Sequence, residues 1–107
     1  MIRVRFERTG GFAGLRTSAT IDSDSLTPED ERDLDRMIEA AGFFELPGEI
    51  TPPAHVRDQF VYRITVEKEG RRHTVVVDEA AAPATLRPLI GSLTSAARKA
   101  ERRDGPS

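Results

Sequence analysis

The sequence contains no cysteine and no tryptophan, and only one of its 107 residues is a tyrosine. Without cysteine the chain has no disulfide bonds, no thiol nucleophile and no thiolate ligands for a metal. No hydrophobic run approaches the length that spans a membrane. The 16 basic and 18 acidic residues leave a net charge of -2, which gives no particular attraction for nucleic acid or anionic membranes.

These absences narrow the setting in which the protein works. A chain without cysteine suits a reducing compartment, and this chain opens on a strand pattern instead of a signal peptide. We therefore expect a cytoplasmic monomer that binds neither nucleic acid nor membranes. The length suits one domain, which we place at residues 1–103, followed by a disordered tail at residues 104–107.

Residues 59–78 are the most regular part of the sequence, because apolar and polar side chains alternate on both sides of Glu69 and Gly70. This pattern predicts a β-hairpin whose two-residue turn uses the positive φ that glycine tolerates. The resulting register pairs Tyr62 with Val77, Ile64 with Val75, and Val66 with His73. The apolar face comprises Phe60, Tyr62, Ile64, Val66, Val75 and Val77, and the polar face comprises Arg63, Thr65, Glu67, Arg72 and Thr74.

The first part of the chain predicts a second hairpin. Ile2, Val4 and Phe6 alternate with charged residues, and residues 15–22 alternate less cleanly. The loop between the two strands, GGFAG at residues 10–14, has three glycines that permit positive φ.

Two helices complete the pattern. Thr27 has the position of an N-cap before Pro28, and Gly42 is placed to end the first helix. In the second helix Thr85 is the preferred N-cap, which puts Pro88 at the third helical position, where its missing N–H removes no intrahelical bond.

The predicted fold class is therefore α+β, with a four-stranded, mainly antiparallel sheet, two helices packed on one face, and the order ββαββα. The order in which the strands lie side by side stays open. If the first helix returns the chain to the end of the sheet that it left, the loops at residues 10–14 and 43–58 lie at one end. The turn at Glu69 and Gly70 then lies at the other end.

Catalytic motifs are not apparent. His55 and His73 lack the spacing of a zinc motif, and no serine lies in a nucleophile elbow. The GGFAG loop precedes a strand, whereas a phosphate-binding loop precedes a helix. We expect a protein that is not an enzyme and that has no cofactor and no metal of its own.

Phe12 is the large side chain of the glycine-rich loop, and two interpretations are open. It either folds back to close the end of the core or projects as an anchor for a pocket on a partner. The spacing of residues does not decide between them.

Several short segments carry a resemblance to a known family. They are GGFAG after the first strand, Asp58, Phe60 and Tyr62 before RITV, HTVVVDE, and LRPLI at Leu86 to Ile90. Together these segments resemble the emfourin family, which comprises protein inhibitors of thermolysin-like M4 zinc metallopeptidases such as protealysin. The resemblance implies an inhibitor that blocks the active-site cleft of such a peptidase with loops at one end of its sheet.

The zinc would belong to the partner, and the carboxylates considered for an approach to it are those of Glu49 and Asp58. Two interpretations of Asp58 are open, because it would equally cap a turn or pair with a nearby arginine. The alternative is a non-inhibitory interaction module or small regulatory protein that uses the same end of the sheet or its bare polar face. The candidate partner-binding residues are Gly10, Gly11, Phe12, Ala13, Gly14, Glu49 and Asp58.

Overall fold

Five strands and two helices make up the computed structural model, which describes residues 1–10, 15–52 and 60–104. In chain order the elements are β1 (Ile2–Gly10), β2 (Leu15–Asp22), α1 (Pro28–Ala41), β3 (Glu49–Ile50), β4 (Phe60–Lys68), β5 (Arg71–Asp78) and α2 (Arg87–Asp104). The α+β class is confirmed. The strand number is wrong, because the short β3 adds a fifth strand that two residues cannot announce by alternation. The order is therefore ββαβββα.

The register predicted for the β4–β5 hairpin is confirmed. Tyr62 pairs with Val77, Ile64 with Val75, and Val66 with His73. Glu69 and Gly70 form the turn with φ values of 51 and 78. Positive φ at both central residues is the mark of a type I′ turn, whose twist matches that of the flanking strands.

The strands lie in the order β2-β1-β4-β5-β3. β1 is antiparallel to both β2 and β4, so the two hairpins join through β1 and β4, and β2 does not touch β4. β3 runs parallel to β5, which makes the sheet mixed at one edge.

Both helices pack on one face of the sheet, as predicted. The inward side chains of the strands form one core with buried residues of α1 and α2: Ile2, Val4, Phe6, Tyr62, Ile64, Val66, Val75, Val77, Leu34, Ile38, Ala41, Leu89, Ile90, Leu93 and Ala97. Arg63 and Arg72 are exposed on the opposite face. Thr65 departs from this pattern, since it is buried on the polar face, where its hydroxyl lies 2.8 Å from that of Thr74.

The predicted ends of α1 are confirmed. The Thr27 hydroxyl accepts a hydrogen bond of 3.1 Å from the backbone N–H of Asp30, so Thr27 is the N-cap. Gly42 adopts a left-handed conformation with φ 58 and ends the helix. Its N–H donates to carbonyl oxygens of the last turn, which would otherwise lack a partner.

The Glu69–Gly70 turn marks one end of the sheet, the turn end, and the end of β1 at Gly10 marks the other, the loop end. The predicted route of α1 is wrong, because the helix does not carry the chain from the turn end to the loop end. Its middle is held beside the β4–β5 turn, where the buried Lys68 ammonium donates to Asp35 and, at 2.6 Å, to Glu39. These hydrogen bonds, first that to Asp35, raise the pKa of Lys68 above its ordinary value. Asp35 and Glu39 lie one helical turn apart, so this stretch of α1 lies at the end of the sheet that carries the β4–β5 turn.

The segment after α1 brings the chain toward the loop end instead. Phe43 packs edge-on against His73, with ring centroids 5.7 Å apart, and the His73 Nε2 lies 2.7 Å from the carbonyl oxygen of Leu46. The Val76 N–H then donates to Gly48, and β3 follows along the edge of β5. Only the later part of the loop predicted at residues 43–58 therefore approaches the end where β5 finishes.

α2 begins at Arg87, two residues after the N-cap expected at Thr85. A turn precedes it, since the N–H groups of Leu86 and Arg87 both donate to the Pro83 carbonyl. Pro88 is then the second helical residue, where its missing N–H removes no intrahelical bond. α2 runs to Asp104 and residues 105–107 lie outside the described part, so the domain limit at 103 and the tail stay predictions. Within the described residues no helix is long and apolar enough to cross a membrane.

Two glycines of the helices predict opposite effects of the same substitution. An alanine Cβ would meet nothing within 4 Å at Gly42 or at Gly91, so backbone conformation alone decides the outcome. We expect Gly42→Ala to lower the free energy of unfolding by about 1–2 kcal/mol, because φ is 58 there. Gly91→Ala, in exposed helix, should raise it by about 0.5–1 kcal/mol. Denaturant unfolding measures both, and equal effects of one sign would contradict the assigned backbone.

Candidate functional site

The loop end is the end of the sheet at which the strands β1 and β5 finish and the strands β2 and β4 begin. Its central residue is Gly10, which lies opposite Leu15 on β2 and opposite Phe60 on β4. Gly10 has φ 99, a conformation that side-chain-bearing residues rarely adopt, so the glycine expected here is required. Three of the four chain ends that flank residues 11–14 and 53–59 therefore lie on one backbone rung.

The structure places the candidate residues unevenly. Gly10 lies at the loop end, whereas Gly11, Phe12, Ala13, Gly14 and Asp58 lie outside the described residues. The two interpretations of Phe12 accordingly both stay open.

Glu49 is exposed on the edge strand β3, opposite Val76. In the register, Val76 pairs with Arg63 and Arg63 with Glu7, so Glu49 is three strands away from β1. At about 4.8 Å per strand that separation is roughly 14 Å. Glu49 and Gly10 thus share the upper half of the sheet but are not neighbours.

A column of aromatic rings on the core face leads up to the loop end. Phe6 and Tyr62 stack with ring centroids 5.9 Å apart. Above them the guanidinium carbon of Arg8 lies 4.4 Å from the centre of the Phe60 ring. This distance is within the range of a favourable cation–π contact.

Tyr62 also joins β4 to the turn that follows β5. Its hydroxyl donates to the Glu79 carboxylate at 3.3 Å, and Glu79 begins the short 3₁₀ turn Glu79–Ala81. Asp78 caps that turn by accepting from the Ala80 N–H at 3.0 Å. Burial, followed by the nearby Glu79 charge, raises the pKa of Tyr62 above 10.0. On the core face of the loop end, these contacts therefore link β1, β4 and the turn after β5.

Sequence reasoning missed Arg8 and Glu79 as parts of this end. A signal existed for Arg8, since it continues the alternation of Ile2, Val4 and Phe6 and so belongs on the inward face. No signal existed for its partner, because the contact with Phe60 depends on the pairing of β1 with β4.

The single tyrosine allows a direct test of this geometry. Tyr62 should ionise above pH 10, and its spectrum reports one site because the chain has no other tyrosine. Glu79→Gln should lower the pKa of Tyr62 but leave it above the ordinary value, since burial is the larger cause. Because the pKa of Tyr62 is higher in the folded than in the unfolded chain, the neutral hydroxyl contributes to stability. This contribution is full below pH 10 and is lost as pH rises through the folded-state pKa.

Ultraviolet absorbance of tyrosinate during a pH titration, with unfolding followed in parallel, measures both effects. Glu45→Gln, at an exposed position away from Tyr62, is the matched control. An unshifted wild-type pKa would contradict the placement of Tyr62.

Known proteins resemble this chain. A family model described as Emfourin matches residues 6–94. Among solved structures, emfourin (M4in) from Serratia proteamaculans, described as an M4 family peptidase inhibitor, is 21% identical, with 82% of this chain and 84% of that chain covered and a TM-score of 0.46. No curated protein matches significantly. Because the family model spans most of the sequence, from the first strand into α2, the predicted resemblance is confirmed and the chain belongs to the Emfourin family.

Proposed function

We propose that this protein inhibits a thermolysin-like zinc metallopeptidase of the M4 family. The observation that carries the proposal is the Emfourin family match over residues 6–94, and M4in bears the description of an M4 family peptidase inhibitor. An inhibitor needs no catalytic residues of its own. The zinc belongs to the peptidase, and the protein contributes a surface that fills the active-site cleft.

The loop end is the part of the molecule that suits this task. Residues 11–14 leave β1 at Gly10 and rejoin the sheet at Leu15, and residues 53–59 rejoin it at Phe60. All three anchoring residues lie on one rung of the sheet, so both ends of the first loop and the C-terminal end of the second are fixed side by side. A loop whose ends are already fixed loses less conformational entropy when it binds. We infer that these loops enter the cleft.

The two candidate carboxylates are placed differently with respect to this rung. Asp58 comes two residues before Phe60, so it belongs to a loop that ends on the rung. Glu49 lies on β3, three strands from β1, so it contacts the peptidase only if the interface extends from β1 across to β3. We therefore favour Asp58 as the carboxylate that approaches the zinc.

A direct assay tests the proposed function. Purified protein is titrated into a thermolysin-like peptidase, and we expect stoichiometric loss of peptide hydrolysis. A serine peptidase assayed with the same substrate serves as the control and should keep full activity.

Full activity of several M4 peptidases would instead favour the interaction module. The observation behind that alternative is the sheet face opposite the helices, which exposes Arg5, Ser18, Thr20, Arg63 and Arg72. Antiparallel sheets commonly leave one face in water, so this observation alone is weak.

Phe12 gives the sharpest test of which residues inhibit. As an anchor, Phe12→Ala should weaken inhibition by about 2 kcal/mol or more and leave the melting temperature nearly unchanged. As a plug of the core, the same change should lower the free energy of unfolding by about 3–5 kcal/mol and leave inhibition by folded protein nearly unchanged.

Gly70→Ala is the control at the opposite end of the sheet. Gly70 has φ 78, so alanine should destabilise the turn by about 1–2 kcal/mol and spare inhibition per folded molecule. If folded Gly70→Ala loses inhibition and Phe12→Ala keeps it, the inhibitory surface lies at the end of the sheet with the Glu69–Gly70 turn, and the loop end is the wrong choice.

A further inference from the structure

One backbone rung carries most of the loop end, and its centre has no side chain. Gly10 lies opposite both Leu15 and Phe60, so three of the four chain ends that lead into residues 11–14 and 53–59 meet on it. With φ 99 and no Cβ, Gly10 cannot pack across the rung. A side-chain contact that holds the end of β1 to β4 must therefore come from another residue of β1.

Arg8 and Phe60 supply that contact. Arg8 lies two residues before Gly10 on the core face and pairs with Tyr62, which makes Phe60 its diagonal neighbour on β4. Diagonal neighbours are within reach when one side chain is long and the other aromatic. The guanidinium carbon lies 4.4 Å from the ring centre, and both side chains are half-buried.

We propose that the Arg8–Phe60 pair is the positioning element of the inhibitory end. The pair links the end of β1 to the first residue of β4 and thereby fixes, before the peptidase binds, the points where residues 11–14 leave β1 and residues 53–59 join β4. The proposal rests on the proposed function, because it assigns a role within the same surface. Its contribution is preorganisation, since a loop with fixed ends loses less conformational freedom in the complex.

The molecule contains a matched control. The guanidinium carbon of Arg71 also lies 4.4 Å from the centre of an aromatic ring, that of Phe44. Arg71 begins β5 beside the Glu69–Gly70 turn, at the end of the sheet opposite Gly10. The two pairs share their chemistry and distance and differ in their place relative to the loops.

A double-mutant cycle tests the proposal with Arg8→Gln, Phe60→Leu and the combined variant, each assayed for the inhibition constant against a thermolysin-like peptidase. Each single change should raise the inhibition constant about 3- to 10-fold. The inhibition constant of the combined variant should be about equal to the larger of the two single-variant values, because both substitutions remove the same contact. Phe60→Trp, which offers a better ring face to the cation, should inhibit like the wild type.

The same cycle at the control pair uses Arg71→Gln and Phe44→Leu. These changes should leave the inhibition constant unchanged in folded protein. Amide hydrogen exchange of the free protein adds a readout independent of any peptidase: the Gly10 N–H should exchange faster in Arg8→Gln and not in Arg71→Gln.

The outcomes separate this inference from the proposed function. If Arg8→Gln weakens inhibition equally with Phe60 or leucine at position 60, Arg8 contacts the peptidase directly and the positioning role is wrong. If the wild type inhibits and no variant of the pair differs from it, the inference alone is overturned. If the wild type inhibits no M4 peptidase, the proposed function fails and this role fails with it.

Discussion

The pairing of β1 with β4 is the contact on which the rest of the structure depends. The chain forms two hairpins, each apolar on one side, and such a hairpin is marginal by itself in water. Joining them through β1 and β4 gives one continuous inward face that α1 and α2 cover together. The same pairing sets Gly10 opposite Phe60, so the contact that completes the core also assembles the loop end.

Features encoded within a few residues could be predicted from the sequence. Alternation around Gly70 fixed the register of the β4–β5 hairpin, because a shift of one residue would turn every apolar side chain to the solvent. Thr27 and Gly42 marked the ends of α1, since each residue type satisfies backbone groups that the helix leaves unpaired. These signals act locally and do not depend on which strands become neighbours.

Features that depend on distant parts of the chain could not be predicted. β3 is two residues long, and it pairs with β5 after a segment that Phe43 and Leu46 anchor on His73. The course of α1 depends on Lys68, an inward-facing cation at the end of β4 whose carboxylate partners lie 33 and 29 residues away in the sequence. At the site, the inward position of Arg8 followed from alternation, but its ring partner followed from the strand order.

The two ends of the sheet are stabilised by different means. At the turn end, a type I′ turn and the Lys68 ion pairs with α1 tie three elements together without a long loop. At the loop end, β1 stops at a glycine and the neighbouring contacts are aromatic and cationic: the Phe6–Tyr62 stack, the Tyr62–Glu79 hydrogen bond and Arg8 over Phe60. Those contacts lie on the core face, beside the points where residues 11–14 and 53–59 leave the sheet, so the described strand ends support one another directly.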